Sequence, residues 1–392
     1  MLEGMKILSF VQGLAGCSAS QILGDLGAEV VRVEWDQEKR KQQGFVFDDE
    51  NKDLFFRLTG RNQKSAVIDI RTGAGLQIIR GLLEEYNIVL ETCLSDPDIN
   101  TELNYETLSK EHPELIWCRC TCFGKGGPYD GKKADDLMMQ SFSGLCSLNG
   151  YADKPPIPAG AALTEQHMAA FAAMGIISAA YDRQKSGKGH LVDVNMLSAA
   201  MDLQIETFGY YCNGGHFIPR VDTGLSTRIH QSPYGVYATK DGCIVVSLTH
   251  YDRCCQIFTP GSMDGLSEEA AMTRREEFDK VVCEEMKKKT TAQWMEVFSG
   301  IKDMWYAPVN EYEQVLEDEQ VRHNKPFVQI GGEDGETIYA LGHANRYDGQ
   351  QTEIRRLPPA YGQDTEEVLG KTGRPKEHLE KWDDREQSSD PC

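Results

Sequence analysis

The first 34 residues constrain the fold more than any other part of the sequence. A short apolar run, Met5–Phe10, is followed by a glycine-bearing turn over residues 11–16 and by helical periodicity over Ser18–Leu26. Gly27 then stands where helices commonly end, and Ala28–Glu34 forms a second apolar run. Two strands joined by a helix lie parallel in one sheet, so the pattern predicts an α/β fold that binds ligands at the carboxyl ends of its strands.

The same alternation continues to about residue 211. The sequence predicts further strands at Ala66–Ile70, Ile88–Glu91, Leu115–Phe123 and His190–Val194, and helices at Gly73–Glu85, Tyr105–Glu111, Asp136–Leu148, Glu165–Arg183 and Met196–Tyr211. Hydrophobic repeats of about two and about 3.6 residues distinguish the two kinds of element. A large, mostly parallel domain is therefore expected.

After Gly214-Gly215 the pattern changes. An Asp-Gly turn at 241–242 separates two apolar runs, which is typical of a β-hairpin, and a charged helical stretch follows at Glu268–Val297. Strands near Val328–Ile330 and Thr337–Ala340 and a helix at Asp364–Leu369 end the pattern. We predict a large domain from residues 1–221 and 326–392, and a smaller α+β domain from residues 222–325.

Composition excludes some classes of partner. The net charge of −20 disfavours nucleic acid and anionic membrane surfaces, which need a basic protein surface. No stretch reaches the roughly 18 apolar residues of a membrane span. The twelve cysteines show no regular spacing and are expected to be thiols in a reducing cytoplasm. Cys118, Cys120 and Cys122 alternate on a predicted strand, where buried packing is favoured over a metal site, and we expect no metal.

The turn after the first strand does not settle which ligand binds. Glu34 closes the second strand, where an acidic residue can hold a ribose, but the turn Val11–Gly16 lacks the G-x-G-x-x-G order of dinucleotide-binding proteins. A nicotinamide or flavin enzyme is therefore disfavoured. The glycines are equally consistent with a tight turn alone.

Two acidic residues stand at predicted helix starts. Glu165 follows Thr164 at the start of a helix rich in small residues, and Asp136 opens the helix before it. Either carboxylate can serve chemistry, and either can simply stabilise the positive end of a helix dipole. The sequence pattern alone leaves both interpretations open.

Several motifs together resemble those of one enzyme family, the class III coenzyme A-transferases, which include formyl-CoA:oxalate and carnitine CoA-transferases. The similarity runs nearly end to end. Its landmarks are Leu14-Ala15-Gly16, Gly24–Val30, Arg61–Ser65, Phe123–Tyr129, Gln140–Gly144, Ser186–Gly189 and Pro233–Tyr237.

The resemblance implies a Rossmann-like large domain formed by both chain ends, a smaller inserted domain, and a homodimer of interlocked protomers. It also implies coenzyme A as co-substrate, with an acyl-CoA and a carboxylic acid as partners. In this family CoA lies between the large domain of one subunit and the small domain of the other.

The resemblance also assigns residue roles. Glu165 aligns with the family's nucleophilic aspartate, which forms a mixed anhydride with the acyl group and then an enzyme–CoA thioester. Asp136 aligns with an acidic residue of the active site. The residues expected to contact CoA or its thioester are Gln12, Leu14, Arg61, Lys64 and Lys133. The chain departs from relatives at Trp35, Thr92 and Asn100, where they often carry an arginine, an asparagine and an arginine for CoA.

Other activities on the same fold remain open. A racemase of this fold pairs a histidine with the residue at the Glu165 position, and that histidine is replaced here by Asp135. His167 lies two residues beyond Glu165 and is expected to point elsewhere on the helix. A CoA-ester lyase or hydrolase, and a CoA-binding protein without transferase activity, are the further alternatives.

Overall fold

The structure is a computed structural model of the chain, and it describes residues 1–36, 54–96, 98–217, 219–220, 228–247, 249–331 and 337–371. The helices are α1 Gly13–Asp25, α2 Leu54–Thr59, α3 Gly73–Leu83, α4 Tyr105–Glu111, α5 Asp136–Phe142, α6 Leu163–Ser186, α7 Met196–Asp202, α8 Ile205–Cys212, α9 Tyr251–Ile257, α10 Ala270–Thr273, α11 Arg275–Met286, α12 Thr291–Ser299, α13 Tyr312–Glu317, α14 Glu319–Asn324 and α15 Thr365–Gly370.

The strands are β1 Lys6–Phe10, β2 Glu29–Glu34, β3 Gln63–Val67, β4 Ile88–Glu91, β5 Ile116–Thr121, β6 Leu191–Asn195, β7 Gly235–Ala238, β8 Cys243–Ser247, β9 Trp305–Pro308, β10 Phe327–Gly331, β11 Thr337–Leu341, β12 Arg346–Tyr347 and β13 Gln350–Gln351. In the described residues, β1 to β6 form one six-stranded sheet in the order β3-β2-β1-β4-β5-β6, with all neighbours parallel. This confirms the predicted α/β fold with a parallel sheet.

The parallel sheet is covered on both faces. Leu8 and Phe10 of β1 belong to a buried apolar cluster that includes Ile79 of α3 and Leu108 of α4. Ser9 points to the opposite face, since alternate residues of a strand do so, and its hydroxyl contacts that of Ser20 on α1. Helix α1 packs against α6, which also packs on β5 and β6. Strands buried on both faces read as nearly continuous apolar runs, as β1 and β2 do.

By internal contacts the chain divides into two compact units. Unit 1 comprises residues 1–135, 163–199 and 325–392, and unit 2 comprises residues 136–162 and 200–324. Unit 2 therefore includes residues 136–162 and 200–220, which the sequence-based division placed in the large domain. The predicted boundary at 221/222 falls on residues outside the described part of the chain, as do residues 372–392.

Unit 2 has its own core. Strands β7, β8 and β9 form an antiparallel sheet among the described residues, and Tyr237 and Ile244 pack with Phe278, Trp294 and Phe298 from the helices that follow. The predicted hairpin around 241–242 is confirmed as β7 and β8.

Two predicted helices are interrupted. The stretch Met196–Tyr211 is α7 and α8, because the Gln204 side chain donates to the carbonyl of Ala200 at 2.9 Å where a continuing helix needs a backbone bond. The stretch Glu268–Val297 is α10, α11 and α12. Thr290 and Gln293 form a reciprocal capping box that starts α12 as a separate helix.

The outer edge of the parallel sheet is covered by side chains rather than by another strand. The amide of Ser65 in β3 donates to Asp364 Oδ2 at 2.9 Å, and that of Val67 donates to Thr365 Oγ1 at 3.0 Å. Helix α15 therefore takes the place of a strand along β3. Covering an edge in this way prevents pairing with another chain.

Candidate active site at the carboxyl edge of the parallel sheet

The turn between β1 and α1 lies where the strand order of the sheet reverses. Strand β1 is flanked by β2 and β4, so Gln12 emerges at the crevice in which doubly wound folds bind ligands. Gly13 has a φ of +75°, a conformation that favours glycine. Gln12 and Leu14 are both half-buried. The structure thus places these two predicted residues together at the carboxyl edge.

Thr92, which directly follows β4, holds this turn. Its hydroxyl accepts from the Gln12 amide at 2.8 Å and donates to the Gln12 carbonyl at 3.0 Å. A Cβ atom at Gly16 would lie 2.7 Å from the Thr92 methyl and 2.7 Å from Val11 Cβ. Glycine at position 16 therefore allows α1 to approach β4 this closely.

Glu165 lies in the first turn of α6, as the sequence predicted, and is half-buried. The next residue, Gln166, donates from its side chain to Ser18 of α1 at 3.1 Å, which ties the start of α6 to α1. The Glu165 carboxylate also acts on the thiol of Cys122, which directly follows β5. The carboxylate therefore lies near the same edge of the sheet as Gln12.

Cys122 links the end of β5 to the segment before α5. Its sulfur accepts from the Ala134 amide at 3.3 Å and donates to the Ala134 carbonyl at 3.4 Å. The pKa of the Cys122 thiol is raised, chiefly by burial. The Glu165 carboxylate also raises it, whereas the Ala134 amide and Lys133 lower it. The thiol is therefore kept protonated beside the candidate nucleophile.

Lys133 projects from this linked segment. Its side chain is 82% exposed, and its ammonium group pairs at 2.9 Å with Asp96, which follows β4. Hydrogen bonding to Asp96 raises the pKa of Lys133. Lys133 therefore stays charged at the carboxyl edge of β4, on the surface of unit 1.

Asp136 belongs to the other compact unit, where it opens α5. The buried Gln140 donates to Asp136 Oδ2 at 2.6 Å and to the Ala161 carbonyl at 3.2 Å, and it accepts from the Ala159 amide at 2.9 Å. Gln140 thereby holds Asp136 against the segment that leads to α6. Asp136 and Glu165 thus lie in different units.

Arg61 is buried within unit 1, with only 2% of its surface exposed. Its guanidinium pairs with Asp25 at the end of α1, at 2.6 Å for the closest contact, and donates to the Leu341 carbonyl of β11 at 2.8 Å. These contacts join α1 to the β10–β11 hairpin. A contact between Arg61 and CoA remains a prediction.

Lys64 lies toward the opposite, amino edge of the sheet. Its ammonium group pairs with Glu29, the first residue of β2, at 2.8 Å and with Glu367 of α15 at 2.6 Å. Burial alone would raise the pKa of Glu29, but hydrogen bonds from Lys64, Lys371 and Tyr86 outweigh it and lower that pKa to about 2. A contact between Lys64 and CoA likewise remains a prediction.

Neither Thr92 nor Cys122 was identified from the sequence as part of a site. Thr92 appeared only as a departure from the family pattern, and Cys122 only as packing on a strand. Each forms hydrogen bonds to the backbone of a residue distant along the chain. The residues next to Thr92 and Cys122 in the sequence therefore do not indicate these bonds. Their position just after strands of a predicted parallel sheet is the one available signal.

The part of the chain that the structure describes contains neither a candidate metal site nor a candidate membrane-spanning helix. No group of three or more His, Cys, Asp or Glu side chains is arranged to hold a metal ion there. Over the same part of the chain, no helix combines the length and apolar character that crossing a bilayer requires.

The sequence also matches a family model. Residues 2–365 fit the model described as CoA-transferase family III. The chain belongs to this family. The resemblance seen in the motifs is thereby confirmed, and the protein is an enzyme of the CoA-transferase type, which moves coenzyme A between an acyl-CoA and a carboxylic acid.

Curated relatives of this CoA-transferase cover most of its length. It is 29% identical to the human succinyl-CoA:glutarate CoA-transferase, over 98% of this chain and 87% of the relative. It is 28% identical to the mouse enzyme of the same name, over 94% and 85%. It is 27% identical to a succinate–glutarate CoA-transferase of Agrobacterium fabrum, over 94% of each chain.

Solved structures show the same fold. A CAIB/BAIF family protein from Brucella suis matches with a TM-score of 0.78 at 22% identity, over 95% of this chain and 99% of that one. A protein from Mycobacterium tuberculosis, described as hypothetical, matches with a TM-score of 0.77 at 22% identity, over 94% and 98%.

Proposed function

We propose that this CoA-transferase moves CoA from succinyl-CoA to a second dicarboxylic acid, with glutarate as the first acceptor to test. The support is the set of relatives above, which are named for succinyl-CoA or succinate and glutarate. Further relatives are named for D-citramalate and mesaconate as partners of succinyl-CoA. The acids in these names share two carboxyl groups, one to carry CoA and one for recognition.

Glu165 is the proposed nucleophile. Its carboxylate attacks the thioester carbon of the donor, CoA leaves as the thiolate, and a glutamyl–acyl anhydride forms. The thiolate then attacks the glutamyl carbon, which releases the donor acid as a carboxylate and leaves a glutamyl–CoA thioester. Covalent catalysis divides one difficult transfer into easier steps in this way.

The second half of the reaction repeats these steps in reverse order. The acceptor carboxylate attacks the glutamyl–CoA carbon, displaces the CoA thiolate and forms a new anhydride. The thiolate attacks the acceptor's acyl carbon and restores the Glu165 carboxylate. Every bond broken is matched by one formed, so the cycle needs no metal and no redox partner.

The observation that carries this proposal is the location of Glu165. It stands in the first turn of α6, half-buried, near the end of β5 and tied through Gln166 to α1. A carboxylate at the carboxyl edge of a parallel sheet lies where ligands of such sheets bind. Gln12 and Leu14 at the same edge are proposed to face the thioester, and Lys133 to contact CoA.

Asp136 is proposed as a second active-site carboxylate, because the family resemblance assigns it that role. Its carboxylate is held by the Gln140 amide, which fixes its direction at the start of α5. Arg61 and Lys64 are the proposed contacts to the CoA phosphates that the family resemblance supplied. Both already pair with carboxylates of unit 1, so CoA would compete with Asp25 and Glu29 for them.

The first test replaces Glu165 with glutamine, which keeps the shape and removes the nucleophilic oxygen. We expect succinyl-CoA:glutarate exchange to fall by at least about a hundredfold, since loss of a covalent nucleophile removes the two-step route. Wild-type protein incubated with succinyl-CoA and hydroxylamine should carry a hydroxamate on Glu165, detected by peptide mass spectrometry. Glu276→Gln, at an exposed carboxylate of α11, is the matched control and should keep wild-type exchange activity and labelling at Glu165.

Full exchange activity in the Glu165→Gln variant would contradict the nucleophile assignment. The same donors distinguish the alternative activities. Release of free acid without an acceptor indicates a hydrolase, and solvent deuterium appearing at the α-carbon of a branched acyl-CoA indicates a racemase. Tight CoA binding without any turnover indicates a binding protein.

We also propose that the enzyme works as an interlocked homodimer in a reducing cytoplasm. Among the described residues, α8, α13 and α14 bury no side chain within one chain. Ile205 of α8 and Tyr312 of α13 are 73% and 88% exposed, and Tyr339 and Leu341 of β11 are each 64% exposed. Large apolar side chains exposed on elements that bury nothing within one chain support burial against a partner chain. Sedimentation velocity at micromolar concentration tests the dimer.

A further inference from the structure

The contact between Thr92 and Gln12 is unusual because one side chain satisfies both backbone groups of a residue 80 positions away. Gln12 is the cap residue of α1, with extended backbone angles and no side-chain hydrogen bond of its own at the cap. The following residue, Gly13, has a φ of +75°, which lies in the left-handed region that favours glycine. No side-chain cap from Gln12 therefore helps to fix the shape of the turn.

Thr92 is held firmly enough to provide that constraint. Its own amide donates to the Phe10 carbonyl of β1 at 3.1 Å, which continues the pairing of β4 with β1 one residue past the end of β4. Its methyl group fills the space that glycine leaves at position 16 of α1. The position of the Thr92 hydroxyl is thus fixed by the hydrogen bond of the Thr92 amide and by the packing of the Thr92 methyl group.

We propose that Thr92 is a positioning residue, which fixes the β1–α1 turn so that Gln12 and Leu14 face the thioester in one orientation. The catalytic consequence of this inference rests on the proposed function. The contact between Thr92 and Gln12 does not. Relatives often carry an asparagine for CoA at this position. In this chain the residue serves the turn instead of the ligand.

The consequence for catalysis follows from the precision that group transfer requires. A displacement of about 1 Å in a positioning element can reduce the rate by roughly a hundredfold. Without the Thr92 hydroxyl, the Gln12 amide loses the acceptor and the Gln12 carbonyl loses the donor that Thr92 supplies at this glycine-containing turn. The turn then samples several conformations, and only one of them presents Gln12 and Leu14 to the substrate.

The test compares two variants with a matched control. Thr92→Val keeps the branched shape and removes both hydrogen bonds, whereas Thr92→Ser keeps the hydroxyl and removes the methyl group. The control is Thr72→Val, because Thr72 is also half-buried and its hydroxyl also accepts from one amide, Gly75, and donates to one carbonyl, Asp69. Those bonds serve the start of α3 and not the β1–α1 turn.

With succinyl-CoA and glutarate, we expect kcat/KM of Thr92→Val to fall by about ten- to a hundredfold, mostly in kcat. Thr92→Ser should stay within about threefold of the wild type, and Thr72→Val should lose stability but not activity. Amide hydrogen exchange at Gln12 should become at least about tenfold faster in Thr92→Val only.

Each outcome decides between the contact, its role and the proposed function. Unchanged Gln12 exchange in Thr92→Val overturns the contact, and so does unprotected Gln12 in the wild type, even if the valine variant does not fold. Faster exchange with unchanged kcat/KM in an active enzyme overturns the positioning role. A wild-type protein that transfers no CoA refutes the proposed function, while the exchange data still test whether Thr92 fixes the turn.

Discussion

At the residue scale, the Glu165 carboxylate acts electrostatically on the thiol of Cys122. Cys122 is close enough to Glu165 for the carboxylate to influence its ionisation, and it is bonded to both backbone groups of Ala134. A glutamyl thioester or anhydride beside a free thiolate would be attacked by it. A Cys122 thiol that stays protonated protects such an intermediate, since the thiolate and not the thiol is the nucleophile.

This arrangement predicts how Cys122 reacts in two variants. Glu165→Gln removes a negative charge and should lower the pKa of Cys122, so alkylation by N-ethylmaleimide becomes faster at a given pH. Lys133→Gln removes a positive charge and should make it slower. Peptide mass spectrometry at a series of pH values measures the rate at Cys122 separately from the exposed Cys212 and Cys255.

The two variants control for each other, because a general loosening of the fold would accelerate alkylation in both. An unchanged rate in Glu165→Gln would mean that the carboxylate does not face the end of β5. That result would remove the electrostatic support for placing Glu165 near the end of β5.

At the scale of elements, helix α1 depends on a buried ion pair at its end. Asp25 and Arg61 are 3% and 2% exposed, and Asn62 donates to the same carboxylate at 2.8 Å. Removing one member of a buried pair leaves an uncompensated charge, which is far more costly than the pair itself is worth.

We therefore expect Asp25→Asn to lower the free energy of unfolding by about 3 kcal/mol. Urea denaturation measures it, and Glu276→Gln is the control, because its exposed pair with Lys280 should be worth at most about 1 kcal/mol. An Arg61→Met variant that keeps wild-type stability but loses affinity for CoA would contradict the structural role and support the phosphate contact predicted from the family.

At the scale of the whole molecule, the cluster around Glu29 joins the first strands of the chain to the residue that follows α15. Lys6 of β1, Lys64 of β3 and Lys371 after α15 meet Glu29 and Glu85 at the amino edge of the sheet. The folded-state pKa of Glu29, about 2, lies below the ordinary value of 4.5. Its contribution to stability is therefore complete above about pH 4.5 and is lost as the pH falls toward 2.

The corresponding prediction concerns acid unfolding. In Glu29→Gln, the free energy of unfolding at pH 7 should fall by roughly 1 kcal/mol, after allowance for solvent screening of this partly exposed group. The difference from the wild type should shrink steadily between about pH 4.5 and pH 2. Circular dichroism during urea titration at several pH values measures it, and a difference that stays constant with pH would exclude the proposed ionisation.

Much of the fold was accessible from the sequence, because the parallel sheet is built from short apolar runs that repeat with helices between them. The bounds of β4 and α4 match the prediction residue for residue. Strand β3 lies three residues earlier than predicted, since its register follows its pairing with β2. The break between α7 and α8 at Gln204 arises from one side-chain hydrogen bond. Such a bond does not alter the spacing of apolar residues from which helices are predicted.

The candidate site was accessible only in part. Glu165 and Gln12 stand at element starts, where a local pattern marks them. Arg61 was expected to bind phosphate because it lies in the segment that holds the CoA phosphates in the family, whereas its buried pairing with Asp25, 36 positions earlier, leaves no local pattern in the sequence. Thr92 and Cys122 form hydrogen bonds to backbone groups. Because every residue has a backbone, the identities of the contacted residues do not indicate these bonds.

The covering of β3 by α15 also bears on how the chain is made. Ser65 and Val67 are synthesised about 300 residues before Asp364 and Thr365, which accept from their amides. While residues of unit 2 are still being synthesised, the outer edge of β3 remains available for pairing with any extended segment nearby. A nascent chain of this enzyme thus spends most of its translation with the outer edge of β3 uncovered, and a product stopped short of Asp364 would keep that open edge permanently.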